Sequence, residues 1–171
     1  MIILPTKNFT DFMNIKPKLT TPLPDFANPD ACWFGNIILV NRKKGLLLTH
    51  EQTRYSIFIY GLTKKDLKNL HEIIVSHLKY HLFEDRFTMK QMNYLLSISE
   101  NFSYFKKINR KVTGTMNNMA AIIKMNDNID DKSLTKKINT MLFTINDEYQ
   151  EPLEAMKEYI EEAILIRELE D

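Results

Sequence analysis

Three β-rich runs separated by short polar segments dominate the first half of the chain. They are Trp33 to Val40, Gly45 to Thr49 and Arg54 to Tyr60, with residues 41–44 and 50–53 between them. Connections of this length suit β-hairpins, so the runs predict an antiparallel meander. The stretch from Ser56 to Tyr60 does not alternate between apolar and polar residues, which predicts burial on both faces.

The segment before this block combines a short strand, a short helix and a loop. Residues 2–4 are an apolar strand candidate that Pro5 ends. Thr6 or Asn8 then caps a short helix. Residues 16–29 contain repeated prolines without periodicity, which predicts an extended loop.

Helical spacing of apolar residues follows the β-rich block. It predicts helices at residues 64–83, after Thr88, after Thr113 or Thr115, around residues 134–142, and after Pro152. We therefore expect an α+β fold. Its small, mainly antiparallel sheet spans about residues 33–61 plus the N-terminal strand, is packed by helices, and is followed by a C-terminal helical pair.

Charge is divided unequally along the chain. Residues 1–120 contain 17 Lys and Arg against 9 Asp and Glu, whereas residues 121–171 contain 6 against 13, so the two parts carry +8 and −7. A basic surface attracts phosphate or acidic protein, and an acidic helix either covers that surface or binds a partner. We predict a basic α+β domain at residues 1–125 and a helical, acidic extension at residues 126–171.

Composition restricts the class of protein. A chain of 171 residues has the size of one ordinary domain, and its one cysteine, Cys32, excludes an internal disulfide and fits a reducing compartment. Signal-peptide features are missing, and the apolar stretches are far shorter than the roughly 20 residues of a membrane span. We expect a cytoplasmic protein without membrane contact. Abundant Lys, Asn and Ile are typical of AT-rich coding in a low-GC bacterium or its phage.

Several segments form a recognisable set: Thr6-Lys7, Trp33-x-x-Asn36, Asn41-Arg42-Lys43-Lys44, Gly61 to Leu67, and Arg110 to Asn117. The set resembles a bacterial family catalogued as a domain of unknown function, with a Trp-started strand, an Arg-Arg-Lys hairpin, a Gly-Leu-Lys-Lys helix start and a Ser-Val-Leu-Gly-Ser-Met-Asn segment. This sequence departs at the hairpin and at Thr113 and Thr115, the second of which keeps a hydroxyl. The resemblance covers about residues 1–125 and implies a fold unit without a settled activity.

Basic and hydroxyl side chains are the main candidates for ligand binding. Arg110, Thr113, Gly114 and Asn117 precede or begin a predicted helix, where backbone N–H groups and the helix dipole attract phosphate. The glycine spacing is not that of a Walker loop, and an ordinary helix start also explains the segment. The other candidates come from a hairpin and a helix start: Arg42, Lys43, Lys44, Lys64 and Lys65.

Aromatic residues near these cations suggest a second type of ligand. Trp33, Tyr55 and Tyr60 would add stacking to the charged surface, as in proteins that bind single-stranded nucleic acid. Lysines at turns and helix ends are, however, commonly just solvated, and a nucleic-acid surface usually contains more Arg.

Two histidine groups are candidates for chemistry or metal binding. His50 beside Glu51, with Arg54 nearby, is the best local acid–base set, although hairpin loops contain such residues by chance. His77 and His81 are spaced to share a metal with Asp85, but both flank an apolar stripe and packing is the simpler interpretation. We predict neither a metal nor another cofactor.

Three hypotheses for function follow. The preferred one is a non-catalytic domain that binds a phosphate-bearing ligand, a nucleotide or a nucleic acid through its basic part. The alternative is a protein-interaction or inhibitor module of a mobile element or defence system, whose contacts on the acidic helix are Leu153, Met156, Ile160 and Ile164. The third is a small hydrolase or nuclease that uses His50, Glu51 and Arg110.

Overall fold

The computed structural model describes residues 1–14 and 21–170, so the first part of the loop predicted at residues 16–29 lies outside the described residues. The strands are β1 (Ile2–Pro5), β2 (Cys32–Val40), β3 (Lys43–His50), β4 (Ser56–Leu62), β5 (Ser103–Tyr104), β6 (Phe143–Ile145) and β7 (Glu148–Gln150). The helices are α1 (Lys7–Met13), α2 (Leu70–Glu84), α3 (Met89–Ser97), α4 (Arg110–Lys124), α5 (Asp131–Asn139) and α6 (Pro152–Glu170), with 3-10 turns at Pro29–Ala31 and Asp66–Asn69.

The predicted meander forms the middle of the sheet. Within the described residues the main sheet has the order β4-β3-β2-β1-β5, with β3 antiparallel to both β2 and β4. The N-terminal strand β1 joins it in parallel between β2 and β5. The predicted α+β class and mainly antiparallel sheet are confirmed.

Helices cover both faces of this sheet because its strands are apolar on both sides. In β3, Leu46 and Leu48 belong to one core with α1, α2, α3 and α6, whereas Leu47 belongs to the other core with α4 and α5. Phe58 in β4 likewise separates Ile57 and Ile59, which lie in the first core. The burial of β4 on both faces is confirmed.

Local signals located several helix ends correctly, and others were misplaced. Thr88 and Gln91 form a complete capping box at the start of α3, and Pro152 opens α6 as predicted. Helix α4, in contrast, begins at Arg110 rather than at Thr113 or Thr115, because the side chain of Asn109 accepts a hydrogen bond from the backbone of Val112. The β6–β7 hairpin was not predicted.

Helix α5 supplies hydrogen bonds to the edge strand β4. Oδ1 of Asn139 accepts from the Ser56 N–H and Nδ2 of Asn139 donates to the Ser56 carbonyl, both at 2.8 Å. One turn earlier, the Thr135 hydroxyl accepts from the Phe58 N–H at 2.9 Å. Both side chains are fully buried, so these polar residues replace the strand that β4 lacks on its outer side.

A third contact continues this series. The carboxylate of Asp131 accepts from the Tyr60 N–H at 3.2 Å. Residues four apart on a helix rise by about 6 Å, and residues two apart on a strand by about 6.6 Å. The two repeats therefore stay in step along the whole contact.

The apolar stripe of α6 faces the protein itself. Met156, Ile160 and Ile164 are buried in the core on the α2–α3 side of the sheet, and Leu153 packs against the same core. This corrects the prediction that these side chains meet a partner protein. The division at residue 125 stays a prediction. Helix α5 packs into the core on the α4 side of the sheet, and α6 contributes to both cores.

The helices also bear on the membrane question. No helix among the described residues has both the length and the apolar composition needed to cross a bilayer.

We predict that Thr135→Val lowers the free energy of unfolding by about 1–3 kcal/mol, because it leaves the buried Phe58 N–H without an acceptor while keeping the side-chain shape. Urea denaturation followed by circular dichroism measures the change. Thr140→Val is the matched control, since that exposed hydroxyl bonds only carbonyls of its own helix. Equal costs for the two variants would contradict the proposed support of β4 by α5.

Candidate functional site

A tight turn presents the first cation of the site. Asn41 and Arg42, between β2 and β3, have φ values of 46° and 64°, so both adopt the left-handed conformation of a two-residue hairpin turn. This turn is shorter than the predicted four-residue connection, because Lys43 and Lys44 already belong to β3. Arg42 is therefore held at the tip of a rigid hairpin.

The lysines that follow the turn lie over aromatic rings. Lys43 Nζ is 5.9 Å from the ring centre of Tyr60, and Lys44 Nζ is 4.7 Å from that of Phe12. Opposite them, Lys44 pairs with Leu62 but Gly45 pairs with Tyr60, which leaves Gly61 as the extra residue of a β-bulge. Gly61 has φ of +79° and thus takes a conformation that suits glycine.

The chain leaving this bulge brings a further cation to the same place. The Asp66 carboxylate accepts hydrogen bonds from the backbone N–H and hydroxyl of Thr63, at 2.7 and 2.8 Å. Both bonds stabilise the ionised carboxylate and lower the pKa of Asp66, and the bond from the hydroxyl has the larger effect. The resulting turn fixes Lys64 opposite the hairpin.

We call the depression between these segments the basic concavity. It has a volume of about 500 Å³ and is lined by Phe12, Arg42, Lys43, Lys44, Gly61, Leu62, Thr63 and Lys64. In the described part of the chain, none of its cations forms a salt bridge with a carboxylate. The concavity therefore concentrates positive charge that the fold itself does not neutralise.

Other predicted ligand-binding residues lie elsewhere. Arg110, Thr113 and Gly114 occupy the first turns of α4, with open space around Gly114, and do not line the basic concavity. Asn117 lines a separate groove between α4 and β2. Lys65 is exposed beside Lys64 without lining the concavity.

The predicted aromatic stacking surface does not form. Trp33 is 1% exposed and Tyr55 is 0% exposed, since both lie in the core under α2, α3 and α6. Tyr60 is half-buried, and its hydroxyl donates to the carbonyl of Val40 at 3.1 Å. Burial of the large rings removes the platform that would stack nucleic-acid bases.

His50 is a structural residue in this geometry. It is fully buried, with Nε2 at 3.1 Å from the Asp30 carbonyl and Nδ1 at 3.0 Å from the Thr53 hydroxyl. A carbonyl only accepts, so Nε2 carries the proton and Nδ1 accepts from Thr53. Burial lowers the pKa of His50 to about 4, so the ring is neutral near pH 7. Both nitrogens are engaged, which leaves no free base.

The second histidine group is dispersed. The ring centres of His77 and His81 are 6.4 Å apart, and burial lowers the pKa of His81 to about 4. Asp85 instead accepts a hydrogen bond from Tyr55 at 2.6 Å. Across residues 1–14 and 21–170, no three His, Cys, Asp or Glu side chains gather as a metal site requires.

Sequence reasoning missed the residues that frame the basic concavity. Phe12 belongs to a helix distant in sequence, and only the fold brings it under Lys44. Thr63 and Asp66, in contrast, had a visible signal, since a hydroxyl residue followed three positions later by an acidic one is typical of a local side-chain to backbone turn.

Comparison with known proteins places the chain in a family. A protein-family model of a domain of unknown function, DUF6933, matches residues 2–155, and the chain belongs to this family. The match extends beyond residue 125, where the resemblance in the motifs ended, and reaches the first turn of α6. No curated protein and no solved structure matches the chain.

We predict that stability falls as the pH is lowered through the range between 6.5 and about 4, because His50 takes up its proton more readily in the unfolded chain than in the fold. The full shift corresponds to about 3 kcal/mol for this residue. His50→Gln, which still offers an N–H to the Asp30 carbonyl, should be less stable at pH 7 and should lose less stability on acidification. Urea titrations at several pH values measure both effects.

His71→Gln is the control for this measurement, because it removes a histidine but leaves His50 and its contacts intact. An unchanged pH dependence in His50→Gln would show that the buried ring is not the source of the acid sensitivity.

Proposed function

We propose that this DUF6933 protein binds a phosphate-bearing ligand in the basic concavity. The observation that carries the proposal is the convergence of Arg42, Lys43, Lys44 and Lys64 from two separate segments on one depression. Solvent screens the mutual repulsion of these exposed cations, and an anion among them would be attracted by all four. A phosphate offers several acceptor oxygens to such a group.

The four cations have different roles in this proposal. The planar guanidinium of Arg42 suits two oxygens of one phosphate, whereas the lysines act as single charges around it. Lys43 and Lys44 are steadied by the rings of Tyr60 and Phe12, which reduces the freedom lost on binding. Phe12 also gives the floor an apolar portion for the non-phosphate part of the ligand.

Backbone strain at Arg42 supports a role beyond the turn itself. The second position of this turn has positive φ, for which glycine is preferred, and another residue there costs on the order of 1 kcal/mol. Arg42 occupies it at φ 64°. Strain of this kind is common where a side chain has a function, so we assign Arg42 to phosphate binding.

The burial of Trp33 and Tyr55 favours a small ligand over single-stranded nucleic acid. Nucleic-acid surfaces of that type combine a positive groove with exposed aromatic rings. The basic concavity meets only the first requirement, the positive charge. A nucleotide or another small phosphate ester therefore fits this depression better than a polymer.

A second candidate function is protein binding through the outer face of α6. Leu165, Ile166 and Leu169 are 51%, 50% and 88% exposed near its C-terminal end. Acidic residues flank them, so a partner would present apolar and basic side chains.

Substituting Leu165, Ile166 and Leu169 by Ser should abolish stoichiometric capture of a host protein after nuclease treatment. Capture that survives the substitutions would oppose this candidate.

We predict that Arg42→Gly weakens pyrophosphate binding by roughly 10- to 100-fold, because one charge-assisted contact contributes roughly 1.5–3 kcal/mol. The same variant should unfold at an equal or higher denaturant concentration, since glycine relieves the positive φ. Calorimetric titration and urea denaturation measure the two effects. Loss of binding with gained stability cannot be attributed to damage of the fold.

Lys90→Met is the charge-matched control, because Lys90 lies outside the concavity and pairs with Glu168 at 2.8 Å. If it weakens pyrophosphate binding as much as Arg42→Gly does, the effect is one of net charge and the site is wrong. If oligothymidylate binds more tightly than pyrophosphate, with a steep salt dependence, the ligand is a nucleic acid.

A further inference from the structure

A groove lies along β2 where its pairing with β1 stops. Strand β3 pairs with β2 as far as Val40, whereas β1 pairs with β2 only as far as Gly35. In the described part of the chain, no other strand continues the sheet on the β1 side of residues 36–39. We call these four residues the open edge of β2. They span about 13 Å of strand.

The hydrogen bonds at the end of β1 show which backbone groups point away from β3. The Gly35 carbonyl accepts from the Thr6 N–H at 2.8 Å, so Gly35 directs its backbone groups to the β1 side. Residues two apart on a strand direct these groups to the same side. Ile37 and Leu39 therefore present their N–H and carbonyl groups to the open edge. Among residues 1–14 and 21–170, no backbone group bonds to them there.

Two helices make the open edge into a groove with a volume of about 430 Å³. Helix α1 packs on one face of the sheet, where Phe9 shares a core with Ile37, and α4 packs on the opposite face, where Ala120 shares a core with Ile38. The helical residues that line the groove are Asn8, Asn117, Ala120, Ala121 and Lys124. A slot with a helix on each face admits one extended chain, whereas the helix-covered sheet of a second copy would clash with both helices.

The fold leaves this edge open, although it closes the edge of β4 with the side chains of α5. Proteins usually block an edge with proline, a charged residue, a bulge or a covering element. Residues 36–39 include neither proline nor a charged residue, and their pairing with β3 is regular. The carboxamides of Asn8 and Asn117 are exposed in the groove beside them. Backbone and side-chain amide groups are thus both available to an added strand.

The charge of the groove favours an acidic occupant. Of the residues described in its lining, Lys124 alone is ionisable. Lys124 takes part in none of the salt bridges within the described part of the chain. A carboxylate in the groove would therefore meet a cation and no competing anion.

We propose that an extended, acidic peptide segment of a partner protein binds to the open edge of β2 as an additional strand. Its backbone exchanges hydrogen bonds with Ile37 and Leu39, and a carboxylate of the peptide contacts Lys124. Recognition of this kind takes its affinity from main-chain bonds and its specificity from the flanking side chains. Asn117, which the sequence suggested as a ligand-binding residue, contributes to this groove. The site shares no residue with the basic concavity and does not depend on the phosphate proposal.

Selection of a display library of random nine-residue peptides on the full chain tests this proposal. We expect enrichment of peptides that contain Asp or Glu and lack proline at their centre. Ala121→Phe should weaken the binding of an enriched peptide at least tenfold, because the ring fills the groove from an exposed position. Asn118→Phe is the matched control, since Asn118 is an exposed residue of α4 that does not line the groove.

Leu39→Pro tests the backbone pairing separately. It removes the N–H that faces the groove and leaves the bonds between β2 and β3 intact, at a residue that is 61% exposed. Fluorescence polarisation should show at least fivefold weaker peptide binding for Leu39→Pro and an unchanged affinity for Leu39→Val, which keeps the N–H. Lys124→Met should weaken an acidic peptide at least threefold and leave its Gln-substituted form unaffected.

Three results would overturn the proposal. They are the absence of any enriched peptide, equal binding by Ala121→Phe and Asn118→Phe, and equal binding by Leu39→Pro and Leu39→Val. A dimer of the full chain that Ala121→Phe dissociates would assign the edge to a second copy and would also overturn it; size-exclusion chromatography with light scattering measures this. The comparison of the two Phe variants remains decisive even if Leu39→Pro does not fold.

Discussion

The contact between α5 and the outer edge of β4 is the constraint on which the rest of the structure depends. A strand at the edge of a buried sheet has N–H and carbonyl groups that need partners, and leaving them unpaired costs about 1–3 kcal/mol each. Asn139, Thr135 and Asp131 satisfy Ser56, Phe58 and Tyr60 in turn. The helix closes the edge and simultaneously packs its apolar residues into one of the two cores.

The position of the basic concavity follows from this constraint. Held by α5 on one side and β3 on the other, β4 reaches its bulge at Gly61 with little freedom. The chain beyond the bulge, with Lys64, is then directed toward the β2–β3 hairpin. The cations are exposed, but the segments that carry them adjoin or belong to the hydrogen-bonded strands β2, β3 and β4. Such a scaffold holds charges in place before any anion arrives, which reduces the cost of binding.

Features encoded by neighbouring residues could be predicted from the sequence. The meander, the capping box at Thr88 and the start of α6 at Pro152 each follow from a few adjacent positions. Thr135 and Asn139 resemble ordinary surface residues, because their partners lie 77 and 83 positions away. The burial of Trp33 is hidden for the same reason. In a sequence, an aromatic residue is equally consistent with a position in the core and with a position on a binding surface. Its neighbours in the fold decide between the two.

The same distinction applies to the sites and to the division of charge. Basic residues of the hairpin and of the β4–α2 connection meet, whereas Arg110 belongs to a helix whose capping residue contacts Glu51, beyond the other end of β3. An eight-residue strand spans about 25 Å, so no side chain at one end assists a ligand at the other. The acidic helix α6, for its part, buries its apolar stripe in the core and lines no part of the basic concavity. The acidic C-terminal part does meet basic residues elsewhere, since Glu168 pairs with Lys90 and Asp147 with Lys111. At the hairpin end, in contrast, no described carboxylate lines the basic concavity, so its positive field is open to solvent.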